Sequence, residues 1–471
     1  MNQPRVVQQL VRSAGAASLS QVWRLGVTFA TGWLLRRMIP PAEMGVWIWV
    51  EPLFLVLAQI RDGGLPGHLV RAERKLFGNF LRVEVVWGGL LAVALGSAAQ
   101  LLRHVYVDAG ADFEWIIRAM CLFFFVQGMG SVPLTYLEAE LKVDKAVPAE
   151  LVRNFVFAGV SLTLAWYGFG VWSIILGHLS GALIFAAMLW RAAWPFLDLS
   201  FASGATASLL GASWPLALLS LLQQAVLRLD PMVLGLYFDS EIIGFVGLAM
   251  FAVFFFPRLL ADSIGRAVYP ALVRYRSDPP RAFEAFRIAT LLLLAFAVPT
   301  AFGLFLNAAW AARFLGGDAW VGAADYLRML ALVPLLRPFS MFGFELLLTR
   351  HRDRLLMLYA TTNLVVIGGL GAWLVHTDLR ALGMAVAGYA PLGMLWLAWG
   401  IYRLDPHAFK RLCADILRLY SVAGLLFVPI EILTPAATWT RLASSLLAAA
   451  LVLAFAQRRF GHDFNAFLRG R

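Results

Sequence analysis

"QQAVLRLDPMVLGLYF", residues 223–238, is mostly apolar enough to sit in a lipid bilayer. Yet it carries Arg228 and Asp230 two positions apart, with Gln223 and Gln224 just before them. A charge at the centre of a membrane helix costs about 2.5–3.5 kcal/mol on insertion scales. Charges kept at that cost belong to a polar path or to a buried pair. The flanking sequence sets the frame. Apolar runs of about 18–25 residues, long enough to cross a hydrocarbon core, recur from end to end. Of the 471 residues, 61% are hydrophobic and only 14% charged, with 35 Phe and 17 Trp. A soluble globular domain is far less apolar and far more charged. The chain reads as an all-α integral membrane protein.

Fourteen spans are expected, at about 14–38, 44–66, 80–103, 114–137, 150–168, 170–190, 207–237, 241–265, 286–308, 323–348, 355–376, 381–402, 412–434 and 440–457. The fifth and sixth are divided only by the turn at "YGFG" (167–170). With both termini in the cytoplasm, most Lys and Arg fall on the inner side, in clusters such as Arg71, Arg74, Lys75 and Arg350, Arg352, Arg354. Arg36, Arg37, Arg103, Arg118, Arg313, Arg328, Arg380 and Arg441 fall outside, and Arg24, Arg228, Arg258 and Arg337 within the bilayer. That sorting is the positive-inside pattern. The longer polar connections, 138–149, 191–206 and 267–285, are then cytoplasmic, and the outer loops are short. Eight tryptophans near outer span ends (Trp47, Trp49, Trp115, Trp166, Trp172, Trp310, Trp320 and Trp439) read as an interfacial belt.

The formal charge of +11 does not point to nucleic acid, because the basic residues form short patches between apolar segments that favour anionic lipid head groups. Cys121 and Cys413 are the only cysteines, which leaves neither a disulfide framework nor a zinc site. The first apolar segment is too long, and with Arg24, Arg36 and Arg37 too charged, for a cleavable leader, so it reads as the first span. There is no "GxxxxGK[ST]", "GxSxG" or "HExxH", so neither ATP hydrolysis by a P-loop nor those hydrolytic chemistries are expected. The reading is of a non-enzyme without cofactor, powered by an ion gradient or the membrane potential.

An internal repeat supports two six-helix lobes, residues 1–195 and 207–405, joined by an interfacial linker at 196–206 and followed by two extra helices and a cytoplasmic tail at 406–471. "RRMIPPAEMGVW" (36–47) pairs with "GLYFDSEIIGFV" (235–246), aligning Gly45 with Gly244. The same offset sets Arg24 opposite Gln223 and Thr31 opposite Asp230. Gln21, Arg24, Thr28 and Thr31, spaced by three and four, share one face of the first span.

"RRMIPPAEMGVW" resembles the "R-L-L-G-P-x-x-F-G-x-Y" signature that ends the first span of bacterial polysaccharide flippases of the multidrug/oligosaccharidyl-lipid/polysaccharide (MOP) superfamily. "RLDPMVLGLYFDSEIIGFVGLAMFAVFFFPRLLADSIGRAVYPALVRYRSDP" (228–279) is similar to their seventh and eighth spans. Pro40 replaces the usual Gly, and Val246 and Gly247 stand near the usual Tyr. The resemblance implies two pseudo-symmetric lobes around a central cavity. It further implies carriage of polyprenyl-pyrophosphate-linked oligosaccharide across the bacterial inner membrane, for O-antigen, capsule or exopolysaccharide assembly. Expected partners are that substrate, membrane lipids and a glycan polymerase.

Such a substrate needs a cationic, hydrated route for its pyrophosphate, and arginine offers a planar bidentate fork that stays charged. The candidate binding residues are Gln21, Arg24, Thr28, Glu51, Gln223, Gln224, Arg228, Asp230, Arg258 and Arg337. Arg24 reads as a cavity cation or as a buried partner of Glu51. Arg228 and Asp230 lie about 200° apart on a helix, so they face different ways; one lines the cavity or the two brace neighbouring helices. Asp262 and Arg266 read as an ordinary pair beneath Arg258, while Glu345 and His178 are weaker candidates. Two other classes stay open. A cation-coupled multidrug exporter calls for a carboxylate-rich cavity, whereas the deep set here is four Arg against Glu51 and Asp230. A membrane-embedded polymerase or ligase calls for a large outer loop.

Overall fold

The computed structural model describes residues 26–69, 76–106, 110–140, 142–202, 204, 206–208, 210–211, 213–214, 217–218, 221, 232–374, 394–435 and 438–468. Among them all regular structure is helical. Nine helices are long and apolar enough to cross a membrane, with shorter apolar helices at Ser240–Phe255 and Arg354–Val366. The chain is a multi-pass membrane protein with two compact units, residues 1–244 and 245–471.

In the first unit, α1 (26–38) leads to α2 (Pro41–Asp62), whose first turn holds Pro41, where a missing N–H costs nothing. The helix stops at Gly63 and Gly64, both left-handed (φ 56° and 70°), which a side chain would resist. After α3 (Leu65–Leu69) comes α4 (Phe77–Ser97), interrupted by a π-helical turn at Glu84–Gly88. Then follow α5 (Ala99–Val105), α6 (Phe113–Ala139), α7 (Val147–Trp166) and α8 (Val171–Ala193). The "YGFG" division of the fifth and sixth spans is real, with Gly168 and Gly170 both at positive φ. Glu43 of α2 accepts the Val171 backbone N–H at 2.9 Å, so a carboxylate caps the positive end of α8. A Cβ on Gly170 would lie 1.6 Å from that carboxylate oxygen.

Lipid offers no hydrophobic drive for helices to pair, so close backbone approach does the work. "GHLSG" in α8 is a small-xxx-small motif. A Cβ on Gly177 would meet Ser161 Oγ at 1.9 Å, and one on Gly181 would meet the Arg153 carbonyl at 3.2 Å. The aligned glycines of the repeat make a second such approach within the first unit. A Cβ on Gly45 would fall 1.7 Å from the Ser240 carbonyl oxygen, and one on Gly244 would fall 2.1 Å from that of Pro41. Each glycine thus meets the carbonyl four residues before its counterpart, so the contact is reciprocal. The linker is anchored too: Asn79 exchanges hydrogen bonds with the Ala202 backbone (3.0 Å each way) and donates to Thr206 Oγ1 at 2.9 Å.

The second unit is built on α9 (Ser240–Arg274, of which residues 245–274 belong here), α10 (Pro279–Leu306), α11 (Ala308–Gly316), α12 (Ala323–Ala331), α13 (Arg337–Thr349), α14 (Asp353–Leu374), α15 (394–404), α16 (Pro406–Leu433) and α17 (Trp439–Leu468). α10 is its axis and packs on α12, α13, α16 and α17. Leu294, Val298, Leu419, Phe427 and Val452 form one core between α10 and the last two helices. Arg287 fixes the same junction, donating to Asp415 at 2.7 Å, and Asp415 is 1% exposed.

Three expectations need correction. The connection 267–285 is not a long polar loop, because α9 runs on to Arg274 and α10 begins at Pro279. Val268 and Leu272 bury against Ala282, Phe283 and Phe286, so an amphipathic face continues both helices past their apolar length. Trp47, Trp49 and Trp320 are core residues rather than belt residues, at 8%, 3% and 1% exposure. Trp49 donates to the Met232 carbonyl at 3.0 Å, and Trp47 stacks on His178. Finally, the tenth span is broken, with a 3₁₀ turn at Val333–Leu335 separating α12 from α13.

Candidate functional site

The break in the tenth span sets Arg337 at the first position of α13, close to midway between Ala323 and Thr349. Pro338 follows it inside the first turn, where its missing N–H is tolerated. The Arg337 side chain is exposed, and its guanidinium carbon lies 4.7 Å from the centre of the Phe254 ring. Tyr359 of α14 feels its charge. Two positive features therefore coincide at one depth: a guanidinium and the N-terminal end of a half-helix. Ends of broken helices at mid-membrane are where transporters meet anionic substrate groups. Glu345, two turns along α13, is half-buried, and its Oε2 makes no hydrogen bond among the described residues.

On α1, Thr28 is exposed and Thr31 buried. Glu51 of α2 is half-buried and acts electrostatically on Arg36, which donates to the Gly32 carbonyl at 2.9 Å. Gln21, Arg24, Gln223, Gln224, Arg228 and Asp230 lie outside the described residues, and so does the expected meeting of Arg24 with the 228–230 pair. Arg258 sits on the continuous helix α9, its side chain outside the description, as are those of Asp262 and Arg266. His178 is enclosed by aromatic rings: Trp47 at 4.8 Å, Phe157 at 4.3 Å and Phe123 at 5.6 Å between centroids.

A second charged cluster was not anticipated from sequence. Arg61, in the last turn of α2, is 3% exposed. It donates through Nε and Nη2 to Asp62 Oδ1 (2.9 and 2.6 Å) and through Nη1 to the Phe124 carbonyl of α6 (2.6 Å), with its plane over the Phe124 ring. Glu84 of α4 is fully buried, its Oε2 3.2 Å from Arg61 Nε. The tally of deep carboxylates must therefore include Glu84. The only signal for it was one acid in "FLRVEVVWGGLLAV" (80–93), which hydropathy averages away.

Comparison with known proteins adds the family. A model described as "Polysaccharide biosynthesis protein" matches residues 34–325. The succinoglycan biosynthesis transport protein ExoT of Rhizobium meliloti (strain 1021) is 23% identical over 415 residues, 85% of this chain and 82% of that protein. Among solved structures, the lipid II flippase MurJ in an inward closed conformation superposes with a TM-score of 0.74 at 14% identity, over 95% of this chain and 99% of its own. An inward-facing multidrug resistance MATE family transporter of the MOP superfamily gives 0.64 at 16% identity, over 84% and 99%. At these identities the superpositions speak for the fold.

Proposed function

The chain belongs to the polysaccharide biosynthesis protein family, and from that premise we propose that it is a flippase for polyprenyl-pyrophosphate-linked oligosaccharide in the bacterial inner membrane. The observation that carries the reading is Arg337 at the mid-span start of α13, where a bidentate cation and a helix N-terminus offer a pyrophosphate two kinds of positive charge at one depth. Arg24, Gln21, Thr28 and Glu51 in the first repeat and Gln223, Gln224, Arg228, Asp230 and Arg258 in the second extend this route. The relative's name, a succinoglycan biosynthesis transport protein, supports a saccharide cargo. The chain acts by alternating access as a carrier, not an enzyme, with fourteen spans and both termini in the cytoplasm. An ion gradient or the membrane potential supplies the energy; for an anionic head moving outward the potential contributes about 2.3 kcal/mol per charge per 100 mV. A glycan polymerase on the outer side consumes the product.

Deleting the gene tests the cargo. Surface polysaccharide is expected to be lost, with lipid-linked repeat units building up in the membrane and drug resistance unchanged. Intact polysaccharide with raised drug sensitivity would replace this reading with the multidrug exporter.

A further inference from the structure

Arg61 donates three hydrogen bonds to groups other than Glu84. Asp62 takes two of its nitrogens and the Phe124 carbonyl the third. Glu84 is a second carboxyl beside that guanidinium, 3.2 Å from Arg61 Nε in a wholly buried place, and neither of its oxygens meets hydrogen-bond geometry with any donor among the described residues. The π turn that begins at Glu84 packs on α2 and α6. From α2 the charged groups Arg61 and Asp62 face it, and from α6 the Ser131 hydroxyl, which donates to the Gly128 carbonyl at 2.7 Å. On α4 itself the nearest charge, Arg82, is exposed. The space is built for these side chains. A Cβ on Gly128 would lie 2.5 Å from Glu84 Oε2 and 3.1 Å from Arg61 Nε, and one on Gly88 would lie 3.3 Å from Arg61 Cδ. π turns inside helices gather at functional sites.

We propose that Glu84, held between Arg61, Asp62 and Ser131, is a reversible proton-binding site that couples proton movement to the carrier cycle. With Glu84 ionised, two carboxylates share one guanidinium and the cluster carries a net negative charge in a largely buried place, a state that burial disfavours. Taking up one proton makes Glu84 a neutral acid whose O–H can donate to Asp62, and the cluster becomes neutral. Releasing that proton restores the charge and pulls Arg61 back toward Glu84. A metal cation is disfavoured, because the Arg61 guanidinium sits 3.2 Å from the carboxylate it would have to share. Asp62, a quarter exposed, is the group through which the proton reaches water. In this cycle the part that shifts is the end of α2, where Arg61 and Asp62 precede the left-handed pair Gly63 and Gly64.

This inference rests on the carrier reading for its purpose but not for its test. Infrared titration of the purified full-length protein in lipid vesicles, without substrate, should show the carbonyl-stretch band of a buried protonated carboxyl rising as pH falls, and E84Q should lack that band. In cells, E84Q should accumulate like wild type, since the amide is a neutral isostere of the protonated acid, and should lose at least tenfold in surface polysaccharide. A band unchanged by E84Q would overturn the proposal, as would wild-type polysaccharide in E84Q cells. Failure of E84Q to accumulate would overturn it too, by making Glu84 a structural counter-ion of Arg61. If the gene deletion leaves polysaccharide intact while the band still titrates and vanishes in E84Q, the proton site stands and the saccharide reading falls.

Discussion

Arg337→Ala is expected to cut surface polysaccharide about ten- to a hundredfold while protein abundance stays at the wild-type level. Hydrogen bonds to a charged group are worth about 1.5–3 kcal/mol, which sets that range if the bonds form as the head group passes. Abundance should hold because the side chain is exposed and its ring contact with Phe254 is the kind of cation–π pair worth about 0.5–1 kcal/mol at exposed sites. Arg337→Lys should recover part of the activity, since charge survives and the planar fork does not. Quantifying polysaccharide against protein level in the three strains checks this. Equal polysaccharide in all three would reduce Arg337 to a packing residue at a helix start.

Asp415→Ala is expected to have the largest effect on the protein itself. Asp415 is 1% exposed and receives Arg287 of α10, Arg418 of its own helix and, at 3.9 Å, Arg459 of α17. Removing it takes from Arg287, which is 6% exposed, its carboxylate partner on α16. This tie between the two helices is lost at a buried cation, while the Glu284 pair on its own helix stays. Breaking a buried pair from one side costs about 3–5 kcal/mol, whereas replacing both members with apolar groups of similar size is often neutral. Asp415→Ala should therefore lose most of its folded protein in a thermal aggregation assay, and the double variant Arg287→Met, Asp415→Leu should regain it. If the double variant is as unstable as the single, the network does more than hold α16 and α17 on α10.

The two clusters differ in how far sequence could reach them. Apolar length alone located most described helices, and the two glycines paired by the sequence alignment, Gly45 and Gly244, meet in a reciprocal backbone contact. The start of α2 at Pro41 and of α9 at Ser240 keeps the same offset. Apolar length could not see the extension of α9 to Arg274, because its cytoplasmic end is amphipathic. Nor could it separate a belt tryptophan from a core one: Trp320 is buried because a 3₁₀ turn folds it back against Gly316 and Phe245. Arg337 and Pro338 were legible as residues of the tenth span, but the break just before them was not, because the whole run from 323 to 348 is apolar enough to read as one helix. Glu84 was not legible, because a single acid in an apolar run looks the same whether it faces a headgroup or a buried arginine. Arg61 failed in the opposite way: within a turn of a span's end, a charge reads equally well as an orienting flank.

The most direct test of the carrier reading is reconstitution. Purified protein is placed in vesicles of phosphatidylethanolamine and phosphatidylglycerol that also hold a polyprenyl-pyrophosphate-linked oligosaccharide, and an added glycosidase that cannot cross the bilayer reads how much glycan is on the outside. The account predicts that the protein exposes glycan initially protected inside, and that Arg337→Ala slows this about ten- to a hundredfold. Protected glycan that stays protected, in vesicles where the protein is folded and an imposed proton gradient and membrane potential are both present, would contradict it.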